Sequence, residues 1–200
     1  MTPPRTYGDA GQAFPIYITV VAGLLFLAFA YFAVGQAAVN RNGAQTAADA
    51  AALAAAQETR DELAGRWVED ILDPQKWQDI FAGEVLGLEP PCWRAYELAA
   101  QNDASVRGCD QDGLRLTVTV QANKSAGDSV IPATSTRRAH ASATAVIESL
   151  CTFDPPGEDA EEDVLPRLNC EDGDDWELDP EDLTDLPGPE DLFDVHLAND

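Results

Sequence analysis

The side chains able to do chemistry in this chain are few and far apart. They are four cysteines (Cys92, Cys109, Cys151 and Cys170), two histidines (His140 and His196), and the acidic run Asp172-Gly173-Asp174-Asp175 followed by Glu177 and Asp179. Zinc sites draw on C-x-x-C pairs, and none is present; an even cysteine count is instead what disulfide pairing in an oxidising compartment produces. Joining neighbours pairs Cys92 with Cys109 and Cys151 with Cys170, although four cysteines allow three connectivities and spacing leaves the other two open. Neither histidine has a serine or cysteine motif beside it to activate, so no nucleophile–base pair emerges, and a surface histidine on a strand is the expectation for His140. The acidic run offers carboxylate oxygens to calcium. It lacks the glycine at position six and the glutamate at position twelve of an EF-hand loop, which leaves weak, nonspecific cation binding at most. With no G-x-x-x-x-G-K-[ST], H-E-x-x-H or dinucleotide fingerprint either, the sequence points away from an enzyme, and no catalytic residue, metal ligand or cofactor is assigned.

Charge narrows the partners. The formal net charge of the 200 residues is −24. The segment from Cys151 to Asp200 carries 19 of the 36 acidic residues against a single basic one, Arg167. Phosphate backbones are bound by basic footprints, so nucleic acid is excluded as a partner.

The elements around these residues are set by the stretch Phe14 to Val34, which contains no Asp, Glu, Lys, Arg or His. At about 1.5 Å per residue it spans about 30 Å, the hydrocarbon thickness of a bilayer, and residues 14–35 are expected to form a transmembrane helix. Pro15 falls in the first turn, where its missing N–H is harmless. A cleaved secretory signal fits less well, because the apolar run is longer than such signals carry and Arg5 is the only basic residue before it. Residues 1–13 read as a polar tip. Cysteines and acidic charge all lie beyond the span, which places the N-terminus in the cytoplasm and the C-terminal part outside it, in a single pass.

Helical sequence continues past the span. Gly35 to Ala56 is dense in alanine, the best helix former, and Gln57 to Leu72 continues with Glu, Arg and Leu until Asp73-Pro74 ends the pattern. One rod is therefore expected from Phe14 to about Leu72. Its small residues, Ala22, Gly23, Ala28, Ala30, Ala33 and Gly35 in the span and Ala47, Ala48, Ala51 and Ala54 beyond it, permit close helix packing, either on the protein's own domain or on neighbouring copies and partners. Gln75 to Phe81 and Trp93 to Gln101 read as short helices, and Trp67, Trp77, Phe81 and Trp93 are expected in the core. Leu114 to Gln121 and Arg137 to Ile147 alternate apolar and polar residues, as half-buried strands do; Ser129 to Ile131 reads as a short strand between them. The expected fold is α+β: a long N-terminal helix packed on a small antiparallel sheet, forming an extracytoplasmic domain over residues 36–150. Residues 151–200, acidic and poor in aliphatic side chains, are expected to be a disordered tail, with Leu183, Leu186, Leu192, Phe193 and Val195 as points of attachment for a partner.

The tip ending Gly8-Asp9-Ala10-Gly11, the apolar span directly after it, and the run Ala44-Gln45-Thr46-Ala47-Ala48-Asp49-Ala50-Ala51-Ala52-Leu53-Ala54-Ala55-Ala56 together resemble the TadE/TadG-like proteins of the bacterial tight-adherence (Flp) pilus system. The resemblance covers about residues 8 to 57, and the helix-then-sheet order that follows is pilin-like. It implies a minor pilin-like or assembly component of a surface pilus, held in the bacterial cell membrane and in contact with pilins or other assembly proteins through its long helix. One feature departs from type IV prepilins, which are cut after a glycine and carry glutamate at the fifth mature position. Counted from a cut between Gly11 and Gln12, that position is Ile16, so the resemblance implies the permanently anchored, TadG-like branch. The alternative from another class is a membrane-anchored adhesin or ion-binding surface protein working through its acidic tail.

Overall fold

The computed structural model describes residues 13–85, 87–88, 91–125, 138–155, 165–171 and 175–199. A single helix, α1 (Ala13–Glu69), runs for 57 residues, about 85 Å at the usual rise. Its alanine content offsets the cost of Gly23, Gly35, Gly43 and Gly65. It stops a few residues short of the expected Leu72. The carbonyl of Arg66 still accepts from the Asp70 N–H at 3.0 Å, and the carbonyl of Asp70, past the helix end, accepts from the Asp73 N–H at 2.9 Å and from Trp77 Nε1 at 3.2 Å. The second element, α2 (Trp77–Ala82), ends at Gly83, whose φ of 71° is the left-handed cap conformation; a Cβ there would also stand 2.4 Å from Leu114 Cδ2. Next comes α3 (Cys92–Gln101).

Three strands then form most of an antiparallel sheet: β1 (Ala104–Asp112), β2 (Arg115–Ser125) and β3 (Arg138–Ser149). β2 and β3 lie where the alternation places them. β1 was not expected as a strand, and its register shift between Val106 and Gly108 explains why. A bulge breaks the period-2 pattern by which a strand is recognised. The expected short strand Ser129 to Ile131 lies outside the described residues.

After β3 the chain makes a two-stranded pair, β4 (Cys151–Thr152) and β5 (Asn169–Cys170), then α4 (Pro189–Leu192) and β6 (Phe193–Leu197). The order in the main sheet is β1-β2-β3-β6, with Ser149 opposite Phe193 and Ala145 opposite Leu197. This corrects the expectation of a disordered acidic tail for residues 151–155, 165–171 and 175–199. Leu168, Leu192 and Phe193 are each 0% exposed. The composition argument treats the segment as though it had to build its own core, whereas here a few apolar residues complete a core built by the rest of the chain, and Asp and Glu stay at the surface.

The core is a layer of helix on sheet. Ala47, Ala48, Ala51, Ala52, Ala55 and Ala56 of α1 are fully buried, as are Val118, Val120, Ala145 and Ile147 of the sheet. With methyl groups on both sides, helix and sheet can approach closely. Thr59, the one buried polar residue among those described, sends its hydroxyl to the Ala55 carbonyl at 3.2 Å. At the far end of α1 a cluster of rings closes the layer: Trp67 to Trp77 at 5.4 Å, Trp77 to Phe153 at 5.3 Å, and Phe81 to Phe193 at 5.3 Å between centroids.

Candidate functional site

The two halves of α1 meet opposite environments. From Phe14 to Val39 its apolar side chains stand exposed, with Phe26 at 73% and Tyr31 at 83%, whereas Ala44 is 1% exposed and the core begins there. The exposed half reaches a mean hydropathy of 2.3 over its most apolar window and is long enough to cross a membrane. Its polar groups are handled locally: the Thr19 hydroxyl donates to the carbonyl of Pro15, one turn back. An apolar surface of this extent is far larger than a monomer leaves to water, so lipid or a partner must cover it.

Within that half, Ala22, Gly23, Ala28, Ala30, Ala33 and Gly35 are all exposed, and a Cβ built on Gly23 or Gly35 meets no atom within 4 Å. At about 100° per residue, Ala22, Gly23, Ala30 and Ala33 share an arc of about 100°, while Ala28 and Gly35 lie on the opposite side. The structure separates these from Ala47, Ala48, Ala51 and Ala54, which are 0–7% exposed and bury against the protein's own sheet and α3. Of the small residues on α1, those in the second half are thus taken up by the protein's own domain, and those in the first half are left uncovered. The expectation that alanines 47 to 56 extend a partner-facing surface outward is corrected, because the domain already occupies them. Gly11 and Gln12 lie outside the described residues.

The other candidate residues do not converge. His140 is exposed, with its Nε2 2.8 Å from Gln121 Nε2; His196 is near the opposite edge of the sheet, with its Nδ1 3.0 Å from Asp194 Oδ2. Asp175 and Glu177 face Arg167 at 3.2 and 3.4 Å, and Asp172 and Asp174 lie outside the described residues. Among the described residues no group of His, Cys, Asp or Glu is arranged to hold a metal ion. The cysteines pair as neighbours, Cys92 with Cys109 at 2.06 Å and Cys151 with Cys170 at 1.95 Å between sulfurs. Trp67 and Trp77 are in the core, but Trp93 is 58% exposed beside the Arg94 guanidinium, which corrects its placement. The cause is its position at the start of α3, whose buried face belongs to Ala95 and Ala99.

Among the described residues, two titratable groups are shifted, both at the surface. Lys76 is held above the usual lysine range by hydrogen bonds and charge from Asp70 and Asp73, at 2.6 and 3.2 Å. Asp182 is held below the ordinary carboxylate range because it accepts hydrogen bonds from the Thr184 hydroxyl and N–H. Both are turn-stabilising contacts.

The exposed half of α1 and the start of its buried half therefore stand out as one continuous segment. Residues 11–58 match the family described as "Putative Flp pilus-assembly TadE/G-like". No curated protein and no solved structure matches the chain. The TadE/G-like segment covers about a quarter of the chain. It takes in the whole exposed half and crosses into the alanine face as far as Glu58, one residue before the buried Thr59. This match supports a pilus-associated role, and the candidate membrane helix fits membrane association. The sequence showed the residues of this segment; only the structure showed that its two halves face different surroundings.

Proposed function

We propose that this protein is a membrane-anchored, minor pilin-like component that assembles or anchors a Tad/Flp-type surface pilus. One observation carries the reading: the TadE/G-like match ends where α1 has passed from an exposed apolar rod into the core of a folded domain. A continuous helix of this kind couples a membrane anchor rigidly to a domain, so a force or contact on one is felt by the other. In this reading residues 14–35 cross the cell membrane once, the N-terminus is cytoplasmic, and the disulfide-stapled domain is extracytoplasmic, where its two cysteine pairs persist. The arc of Ala22, Gly23, Ala30 and Ala33 packs against helices of pilins or other assembly proteins, since lipid gives apolar helices no hydrophobic incentive to associate and close backbone approach supplies the attraction.

The test is substitution on that arc. Gly23→Leu and Ala30→Leu each insert a branched side chain into the contact, at about 1–3 kcal/mol, which lowers co-purification of partners from detergent-solubilised membranes by about 5- to 150-fold. Insertion is unaffected, because leucine is at home in lipid. Unchanged partner recovery with both variants counts against the contact. The intact mass of the membrane-extracted chain tests the anchor: a full-length mass supports permanent anchoring, and a mass beginning at Gln12 shows processing at Gly11 and a protein able to leave the bilayer.

A further inference from the structure

We infer that the membrane-proximal end of the domain docks on anionic phospholipid headgroups of the same bilayer that α1 crosses, through Arg41, Lys124 and Arg138. The inference rests on the reading of residues 14–35 as the span, and its geometry comes from how β3 lies along α1. Gln45 Nε2 donates to the carbonyl of Ser142 at 3.4 Å, which sets one level. At the other end Trp67 of α1 meets Trp77, and Trp77 meets Phe153, a few residues past β3. Between these levels α1 advances about 33 Å and the chain from Ser142 to Phe153 up to about 36 Å. Helix and strand therefore run side by side in the same direction, and the start of β3 points back towards the membrane.

Four residues separate Ser142 from Arg138, up to about 13 Å of strand, the length of about nine helical residues. Arg138 is thus brought back along α1 as far as Asn40, the residue nearest the span that the domain still half-covers, or beyond it towards Gln36. The apolar span ends at Val34, and the headgroup layer adds roughly 5–8 Å beyond the hydrocarbon. Arg138 and its neighbour across the sheet, Ser125, which it pairs in register, stand at that layer, with Lys124 beside them and Arg41 of α1 at about the same height.

Charge is sorted along the same axis. At this end the acidic side chain nearest the span among the described residues is Asp103, matched by Lys124 at 2.7 Å; further out, where Arg107 adds positive charge, come Glu97, matched by Arg94 at 2.6 Å, and then Asp49 and Asp110. Arg41, Lys124 and Arg138 are exposed. Among the described residues, Glu69, Asp70 and Asp73 around the end of α1, Asp154 beside the ring cluster, and Glu148 and Asp194 of the β3–β6 pair lie at the opposite end. A negative surface attracts the first end and repels the second, so headgroups hold the domain upright with its acidic end outward.

The experiment uses the full chain in nanodiscs of phosphatidylcholine alone or with phosphatidylglycerol, followed by amide hydrogen exchange. The expected result is slower exchange at Gln121–Ser125 and Arg138–Ser142 in the anionic discs, lost in 0.5 M salt, with Ala51–Ala56 unchanged as the reading of the fold. K124Q/R138Q lowers the docked-to-free ratio about fivefold per charge, and D103N, which frees Lys124, raises it. Equal exchange in the two lipids, or K124Q/R138Q behaving as the parent does, overturns the docking and leaves the anchor standing. A chain that enters neither kind of disc overturns the span, and the docking with it.

Discussion

Phe193 lies near the end of the most acidic stretch of the chain, yet its ring is 0% exposed and sits 5.3 Å from that of Phe81. It opens β6, whose five residues pair with β3 from Ser149 to Ala145. Phe193→Ala removes the ring, leaves a cavity against α2 and the sheet, and costs about 3–5 kcal/mol. In a folded part of about 150 residues, each kcal/mol moves the midpoint by about 2–4 °C, so the unfolding temperature falls by about 6–20 °C. The assay is thermal unfolding of the full-length protein in detergent without reductant, followed by near-ultraviolet circular dichroism, to which Trp67 and Trp77 in the adjoining ring cluster contribute. The neighbouring exposed substitution Asp194→Ser serves as the control and is expected within about 0.5 kcal/mol of the parent. If F193A melts within a degree or two of the parent, the C-terminal segment does not close the core and the account of the sheet given above is wrong.

Other outcomes follow from the same packing. Ala51→Leu forces a branched side chain into the fully buried helix–sheet layer and destabilises the domain by about 1–3 kcal/mol, whereas Ala22→Leu in the exposed half leaves domain unfolding unchanged; paired denaturant titrations separate them. Replacing Cys151 and Cys170 together by serine opens a loop with a sequence separation of 19 and costs about 3 kcal/mol, read from the denaturant midpoint; a loss below 1 kcal/mol would show that β4 and β5 are held by other contacts. Asp182, with its folded pKa lowered, supports its turn at pH values above the ordinary aspartate range and loses that support as the pH falls through the lowered value. Thr184→Val, which removes the hydroxyl bond and keeps the N–H bond, should move the Asp182 titration, followed by carboxyl NMR, upward towards the ordinary range.

Much of the candidate site was legible in the sequence because its signals are local. An uncharged apolar run of bilayer length and an alanine-rich continuation each act through propensity and hydropathy, which residues carry with them wherever they sit. β2 and β3 announce themselves by alternation, while the neighbour pairing of the cysteines was one of three that the spacing left open. Less was legible where the determining contact is distant in sequence. β1 was hidden by its bulge at Val106 to Gly108. Trp93 and Trp77 are the same residue type on neighbouring short helices, yet one is exposed and the other buried, because burial depends on which face of each helix meets α1.

The sequence by itself determined that a long helix begins with a membrane-length apolar segment and continues, rich in alanine, beyond it. Only the tertiary structure decided what the small residues of that helix are for. Alanine is equally suited to a partner's helix and to the protein's own sheet, and the choice fell to the sheet, whose alanines at 143 and 145 give Ala47 to Ala56 a surface to lie on. The structure also decided the fate of the acidic end. Charge and low hydropathy argue against folding when a segment must bury its own core, but Leu168, Leu192 and Phe193 needed only to finish one. Their burial is a long-range contact, and composition, which is a sum over residues, holds no record of it.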